Sequence, residues 1–328
     1  MNIDPAALIR RARSLQLSNL SRSVPAWITL ALLLAWGGLA IPSFLLPDRL
    51  LQLGQQVAPL ALVALGETIV LLIGGLDLSV GSVLTLSLVL GAGLARGSEG
   101  AAAVPFVLVV CLGSGLTIGV INGLLIVGLK IPPLITTIAT SIAVQGVAWV
   151  YTNGAPSGNM PESIQFAANG RWGFVPVADV IIAVVFLVFF LLLTRSVLGS
   201  YFYAIGANPR AARLAGVPVG SATVFAYALS GLMAAAGGLL LGGYIAIGSL
   251  DAGNPYVLNA LAVALIGGTS FSGGQGGVLG TLVGTAILGV LTALLIQLGI
   301  PIALRSVLLA VIVITAAVLQ GRRIATER

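Results

Sequence analysis

Apolar runs of about 16 to 25 residues, each long enough to cross about 30 Å of hydrocarbon, recur along the chain at residues 24–41, 55–73, 78–95, 104–127, 133–152, 179–194, 221–246 and 304–320. One further stretch, residues 257–298, is long enough for two spans broken at the glycine-rich GGTSFSGGQGG. The pattern predicts an all-α, polytopic integral membrane protein of about ten transmembrane helices.

Composition supports the bilayer as solvent. Hydrophobic residues make up 58% of the 328 and charged residues 7%, against about 25% charged in ordinary soluble domains. Nine carboxylates and fifteen basic groups are too few to coat a water-soluble particle of this length, whereas a lipid-facing surface needs no charge. The net charge of +6 is scattered between apolar runs, with no basic patch or aromatic interleaving, so nucleic acid is not an expected partner. Cys111 is the sole cysteine and His is absent, which removes a disulfide framework, imidazole metal ligands and an imidazole base.

Cationic side chains set orientation, because they stay on the cytoplasmic side. With ten spans, eleven fall on one side: Arg10, Arg11, Arg13 and Arg22, then Lys130, Arg195, Arg210 and Arg213, then Arg322, Arg323 and Arg328. Arg49, Arg96, Arg171 and Arg305 fall on the other. Both termini are therefore expected inside, and ten spans are preferred to nine. The first run ends at Ile41-Pro42 without an A-x-A cleavage pattern, so a retained first helix is expected. The chain divides into a cytoplasmic segment 1–23, a transmembrane domain 24–320 and a cytoplasmic tail 321–328. Two hydrophilic loops stand out, an external one at 153–178 and a cytoplasmic one at 195–220, the latter with a short helix-like segment between Asn208-Pro209 and Gly216.

Candidate chemistry sits where the apolar runs are interrupted. GGLDLSVGS, from Gly74 to Ser82, places paired glycines and a carboxylate between two spans. Gly74 and Gly75 permit close backbone approach or positive φ, and a broken helix frees backbone groups that must line protein or a water-filled cavity. Asp77 with Ser79 reads first as an N-cap for the next helix and, compatibly, as part of a gate for solute. Glu67 lies inside an otherwise apolar span, where a charge costs at least about 2.5 kcal/mol; it pairs across helices, stays protonated or faces water. Asn122 and Gln145 can hydrogen-bond a hydroxylated solute or a neighbouring helix. Gly115, Gly119 and Gly123, and likewise Gly276, Gly280 and Gly284, form small-xxx-small stripes expected to pack helices. Ile73 to Asp77 echoes Ile247 to Asp251, as an inverted repeat would.

Ser272-Gly273-Gly274-Gln275 reproduces the SGGQ core of ATP-binding-cassette ATPases, but a phosphate-binding loop also requires GxxxxGK[ST]. The only lysine, Lys130, sits in GLKIPP. Energy for any transport must come from a partner or an ion gradient.

Taken together and in this order, GGLDLSVGS, GANPRAARLAGV (Gly206 to Val217) and GGTSFSGGQGGVLGTLVG (Gly267 to Gly284) closely resemble the ribose-type permeases of bacterial sugar importers, over about residues 24–320. The resemblance implies a ten-helix core and two permease chains, identical or not, around a central path. It also implies a cytoplasmic ATPase that binds ATP and Mg, a periplasmic or lipid-anchored sugar-binding protein, and the bacterial inner membrane. It implies no cofactor in this chain and no catalysis by it. A short cytoplasmic helix carrying Asn208, Arg210, Ala211, Ala212 and Gly216 would dock into the ATPase. The family often has an acidic residue where Arg210 stands, which leaves a specific ion pair open. Glu162 and Arg171 of the external loop would meet the binding protein, and Glu67, Asp77, Ser79 and the nearby glycines would line or gate the path. Two rival readings are the same architecture carrying a nucleoside, autoinducer or amino acid, and a proton-coupled secondary carrier using Glu67. An intramembrane enzyme is disfavoured, since the sequence shows no nucleophile and base pair.

Overall fold

The computed structural model describes residues 24–95, 103–156, 158–301, 303–308, 310–311 and 315. The segment 1–23 with its four arginines, Arg96, the tail 321–328 and most of the run 304–320 lie outside the described residues.

Helices dominate. In chain order they are α1 (Val24–Ala40), α2 (Pro47–Leu72), α3 (Val80–Leu94), α4 (Ala103–Gly128), α5 (Pro133–Thr152), α6 (Glu162–Asn169), α7 (Val177–Arg195), α8 (Val197–Ala207), α9 (Pro209–Leu214), α10 (Val219–Ile245), α11 (Asn254–Ile266) and α12 (Val278–Gln297). Among the described residues six, namely α2, α4, α5, α7, α10 and α12, are long and apolar enough to cross a membrane. α1, α3, α8 and α11 are shorter apolar helices. The chain is a multi-pass membrane protein.

The apolar runs locate the helices to within a few residues, with one large exception. α2 begins at Pro47, eight positions before the run that predicts it, because Pro at the first helical position and Asp48 in the first turn start the helix within polar sequence. Neither hydrophilic loop is unstructured. Residues 153–178 hold α6 and a two-stranded antiparallel hairpin, β1 (Arg171–Trp172) and β2 (Val175–Pro176), turning at Gly173 with φ +65°. Residues 195–220 hold not one short helix but two, α8 and α9.

α2 and α10 form the centre. Most of α2 from Ala58 onward is buried, as is α10 from Ala226 to Gly243, whereas α4 and α5 present broad apolar surfaces outward. The first glycine stripe explains the tightest contact. Gly115 faces the Gly231 carbonyl, Gly119 the Tyr227 carbonyl and Gly123 the Val224 Cα, so that α4 lies backbone against backbone on α10. The second stripe holds in part. Gly280 and Gly284 seat α12 on the carbonyls of Gly267 and Val263, but Gly276 lies before the helix starts, at φ +124° beside Thr269.

α2 runs antiparallel to α10, since Gly75 adjoins Tyr227, Gly66 adjoins Ser230 and Gly237 adjoins Pro59. The first copy of the Ile-Gly-x-Leu-Asp echo therefore lies beside Tyr227 in the first half of α10, and the second follows the C-terminal end of α10 at Ile245. Each copy connects a long helix of 26 or 27 residues to a short one of 15 or 13. That is the arrangement an inverted repeat produces. Six of the described cations group as the charge count predicts. Lys130, Arg195, Arg210 and Arg213 lie at the end of the bundle where α10 begins, and Arg49 and Arg171 at the other.

Candidate functional site

α2 stops where glycine allows it to. Gly74 adopts φ +77° and donates to the Leu71 carbonyl, while Gly75 donates to the Val70 carbonyl, closing the last turn. Gly75 also has no room for a side chain, because a Cβ there would strike the Tyr227 hydroxyl. Past this turn the carbonyl of Leu76 is free of any helix and accepts from Tyr227 Oη at 3.3 Å. The Thr137 hydroxyl, 3.5 Å away, bonds chiefly to the Pro133 carbonyl of its own helix.

Asp77 follows. Its Oδ1 accepts from the Ser79 amide at 3.0 Å and from Ser79 Oγ at 2.5 Å, and its Oδ2 accepts from Ser230 Oγ of α10 at 2.8 Å. The Asp77 amide donates to Glu67 Oε1 of α2 at 3.3 Å. Asn122 Nδ2 of α4 donates to Ser79 Oγ at 2.9 Å. Four elements, α2, α3, α4 and α10, are thereby joined through the helix break. Each of Glu67, Asp77, Ser79, Asn122 and Ser230 is buried almost completely.

Of the three alternatives open to Glu67 in the sequence, the structure removes the water-facing one: the side chain is buried against protein, with one oxygen tied to the break. The N-cap reading of Asp77 and Ser79 also takes a definite form. Ser79 occupies the cap position of α3 but makes no side-chain cap, and the Asp77 carboxylate takes the Ser79 N–H two residues on, an Asx turn. Neither carboxylate has an ion-pair partner among the described residues, and Glu67 Oε2 and Asn122 Oδ1 have no hydrogen-bond partner there. Buried acceptors without donors cost about 1–3 kcal/mol each, so the network holds unused capacity for a donor. Its chemistry is hydrogen bonding. The described residues contain no group of three or more metal-ligating side chains.

Gln145 stands apart. It is half-buried on α5 and donates to the Leu250 carbonyl at 2.9 Å, bracing the loop before α11. Ser230 and Tyr227 belong to the network although sequence reasoning passed over them. The signal available was a hydroxyl pair three residues apart, hence on one helix face, inside an otherwise apolar run.

At the same end of the bundle, α8 brings a second break into contact with the first. Gly206 packs against the Leu72 carbonyl and the amide and Cα of Gly274, leaving no space for a Cβ. Gly274 N donates to the Leu72 carbonyl at 2.8 Å, and Tyr203 Oη donates to the Gly276 carbonyl at 2.9 Å. The SGGQ sequence is therefore the turn between α11 and α12, with Gly273 and Gly274 at φ +80° and +71°. α9 continues from this junction. Asn208 Oδ1 caps it by accepting from the amides of Arg210 and Ala211, both at 3.0 Å, and Gly216 at φ +82° ends it. Ala212 is buried, whereas Arg210, Ala211 and Arg213 are exposed and Leu214 is 91% exposed. Near the hairpin Glu162 is exposed, and Arg171 is held within the chain by Asp48, with Nη1 3.5 Å from Oδ1.

Comparison with known proteins gives one family and many relatives. Residues 49–317 match the model of the family described as "Branched-chain amino acid transport system / permease component". The chain is 37% identical over 286 residues to the ribose import permease protein RbsC of Bacillus subtilis (strain 168), covering 86% of this chain and 87% of that one. It is 35% identical to the protein of the same name from Haemophilus influenzae, covering 92% and 94%. It is also 36% identical to the galactofuranose transporter permease protein YtfT of Escherichia coli (strain K12), covering 92% and 90%. No solved structure matches the chain.

Proposed function

The chain belongs to the family of branched-chain amino acid transport system permease components, and from that membership we propose that it forms the translocation path of an ATP-driven importer for a monosaccharide. Several of its relatives are named for the import of ribose, galactofuranose or fructose, which supports a small sugar over an amino acid, nucleoside or autoinducer. The observation that carries the reading is the junction at Gly206. An exposed, capped helix α9 is joined through α8 to both membrane helix breaks, which is what a lever between an external motor and the transport path requires.

In this reading α9 docks into a cytoplasmic ATPase through Arg210, Ala211 and Leu214, with Asn208 and Gly216 fixing its ends and Ala212 its inner face. ATP and Mg belong to that partner. Ten spans place both termini, and the segments 1–23 and 321–328, in the cytoplasm of a bacterial inner membrane, with the domain 24–320 between them. Two permease chains enclose the path. Glu162 receives a sugar-binding protein at the opposite end, and Arg171 joins it there if it leaves Asp48. Rim charges of this kind act mainly on association rate. Glu67, Gly74, Gly75, Asp77, Ser79 and Asn122 form the hinge of the gate rather than an open wall of it, and Gln145 braces the next loop.

Proteoliposomes test the proposal. Vesicles holding the chain with its cognate ATPase and sugar-binding protein should take up labelled ribose, galactofuranose or fructose only when ATP is present on the ATPase side. Uptake by the chain alone under a pH gradient would instead assign it to proton-coupled carriers acting through Glu67.

A further inference from the structure

A cavity of about 570 Å³ lies between α1, α2, α7 and α12, away from the network and from α9. α7 contributes Asp179, Ile182, Ala183 and Phe186, spaced i, i+3, i+4 and i+7, so one face of the helix forms one wall. The remaining walls are almost wholly apolar, and Leu50, Ala183 and Leu282 on the lining are exposed, opening the trough to the side of the bundle. The volume lies within the roughly 300–1,000 Å³ of sites that hold drug-sized apolar ligands.

One end of this trough is charged. Asp179 Oδ1 is buried and has no hydrogen-bond partner among the described residues. Gly54 of α2 makes room for it, since a Cβ there would come within 2.6 Å of that oxygen. Arg171 lies within electrostatic reach of Asp179 and also pairs with Asp48. The same end carries the hairpin, whose Trp172 and Phe174 are exposed. Exposed aromatics of this kind sit at the headgroup level of a bilayer.

We infer that the trough is a binding site for a phospholipid with an amine headgroup, phosphatidylethanolamine. One acyl chain fills the space between α7 and α12, the ammonium donates to Asp179 and the phosphate accepts from Arg171. The charge order decides the occupant. A cation flanked by two carboxylates complements a zwitterion whose anionic phosphate adjoins a terminal ammonium, and it repels an anionic headgroup from Asp179 and Asp48. The tail contributes little selectivity, because lipid chains are as apolar outside the trough as in it. Selection rests on the headgroup.

The test compares wild type with Asp179→Asn and Ala183→Phe. Each is reconstituted into nanodiscs of equal phosphatidylethanolamine and phosphatidylglycerol, extracted into mild detergent, and weighed by native mass spectrometry. Wild type should retain one phosphatidylethanolamine per chain with about five-fold preference, the effect of one interfacial charge contact. Asp179→Asn should bring the preference to about unity while a lipid is still retained, and Ala183→Phe should lose both lipids. Equal retention of the two lipids by wild type, or an unchanged preference in Asp179→Asn, would overturn the assignment. So would an empty wild-type chain running as a dimer that Ala183→Phe dissociates, which would give the trough to a second copy. Unfolding midpoints of all three report whether the variants fold, and if Ala183→Phe does not, the Asp179→Asn ratio decides alone.

Discussion

Asp77 accepts three hydrogen bonds from two residues that belong to different helices. Its removal leaves the Ser79 and Ser230 hydroxyls and the Ser79 amide buried without an acceptor, and stranded donors are more expensive than an absent bond. Asp77→Ala should lower stability by on the order of 2–3 kcal/mol, read as a fall in the unfolding midpoint in detergent, while Ser230→Ala should lower it by about 1 kcal/mol. Uptake measured at equal membrane abundance separates hinge from scaffold. If Asp77→Ala transports as well as wild type once abundance is matched, the break has no role in transport. Glu67 sets a different expectation. Its contact with the Asp77 amide needs only one oxygen acceptor, which Glu67→Gln keeps, so that variant should fold normally. Retained ATP-driven uptake in Glu67→Gln would then mean that no step uses the carboxylate charge.

The helices pack through glycine, and the positions are unequal. A Cβ at Gly119 would meet the Tyr227 carbonyl, whereas one at Gly113, on the same helix, would meet nothing within 4 Å. Gly119→Val should cost about 1–3 kcal/mol by overpacking and lower the folded yield, and Gly113→Val should change neither; equal behaviour of the two would refute the backbone contact between α4 and α10. Gly206 makes the corresponding claim for α8. Adding one methyl there must separate α8 from Leu72 and Gly274, so Gly206→Ala should leave ATP hydrolysis by the assembled complex running while uptake falls by about ten-fold, the effect of some 1.4 kcal/mol. Parallel loss of both activities would point to misfolding instead.

Across the whole molecule, the two ends of α10 differ in what they expose. α9 and the cations Lys130, Arg195, Arg210 and Arg213 occupy one end, and the hairpin with Trp172 and Phe174 the other. With Cys111, the chain's only cysteine and a buried thiol, replaced by serine, a membrane-impermeant maleimide should label Phe174→Cys from outside intact cells and Ala211→Cys only after permeabilisation. The reverse pattern would invert the topology and overturn the proposed docking of α9 on a cytoplasmic ATPase. The positive-inside count anticipates this division because insertion responds to charge in short loops, a property local to each connection.

Contiguous residues suffice to set the solvent, the approximate places of most apolar helices, the two helix breaks and the capped helix α9, since each is written locally: apolar length, paired glycines, an Asn-Pro start and a glycine stop. What lay between residues far apart was decided by tertiary structure alone. That Asp77 meets Ser230 153 positions later, that Gly206 closes on both breaks, that Gln145 stands outside the network and that Asp179 faces an apolar trough all depend on how α10 and α7 dock on α2. The physical reason is that among helices in lipid hydrophobicity does not select partners. Close backbone approach at glycines and the pairing of a few buried polar groups select them, and a run of apolar letters does not disclose which face will be chosen.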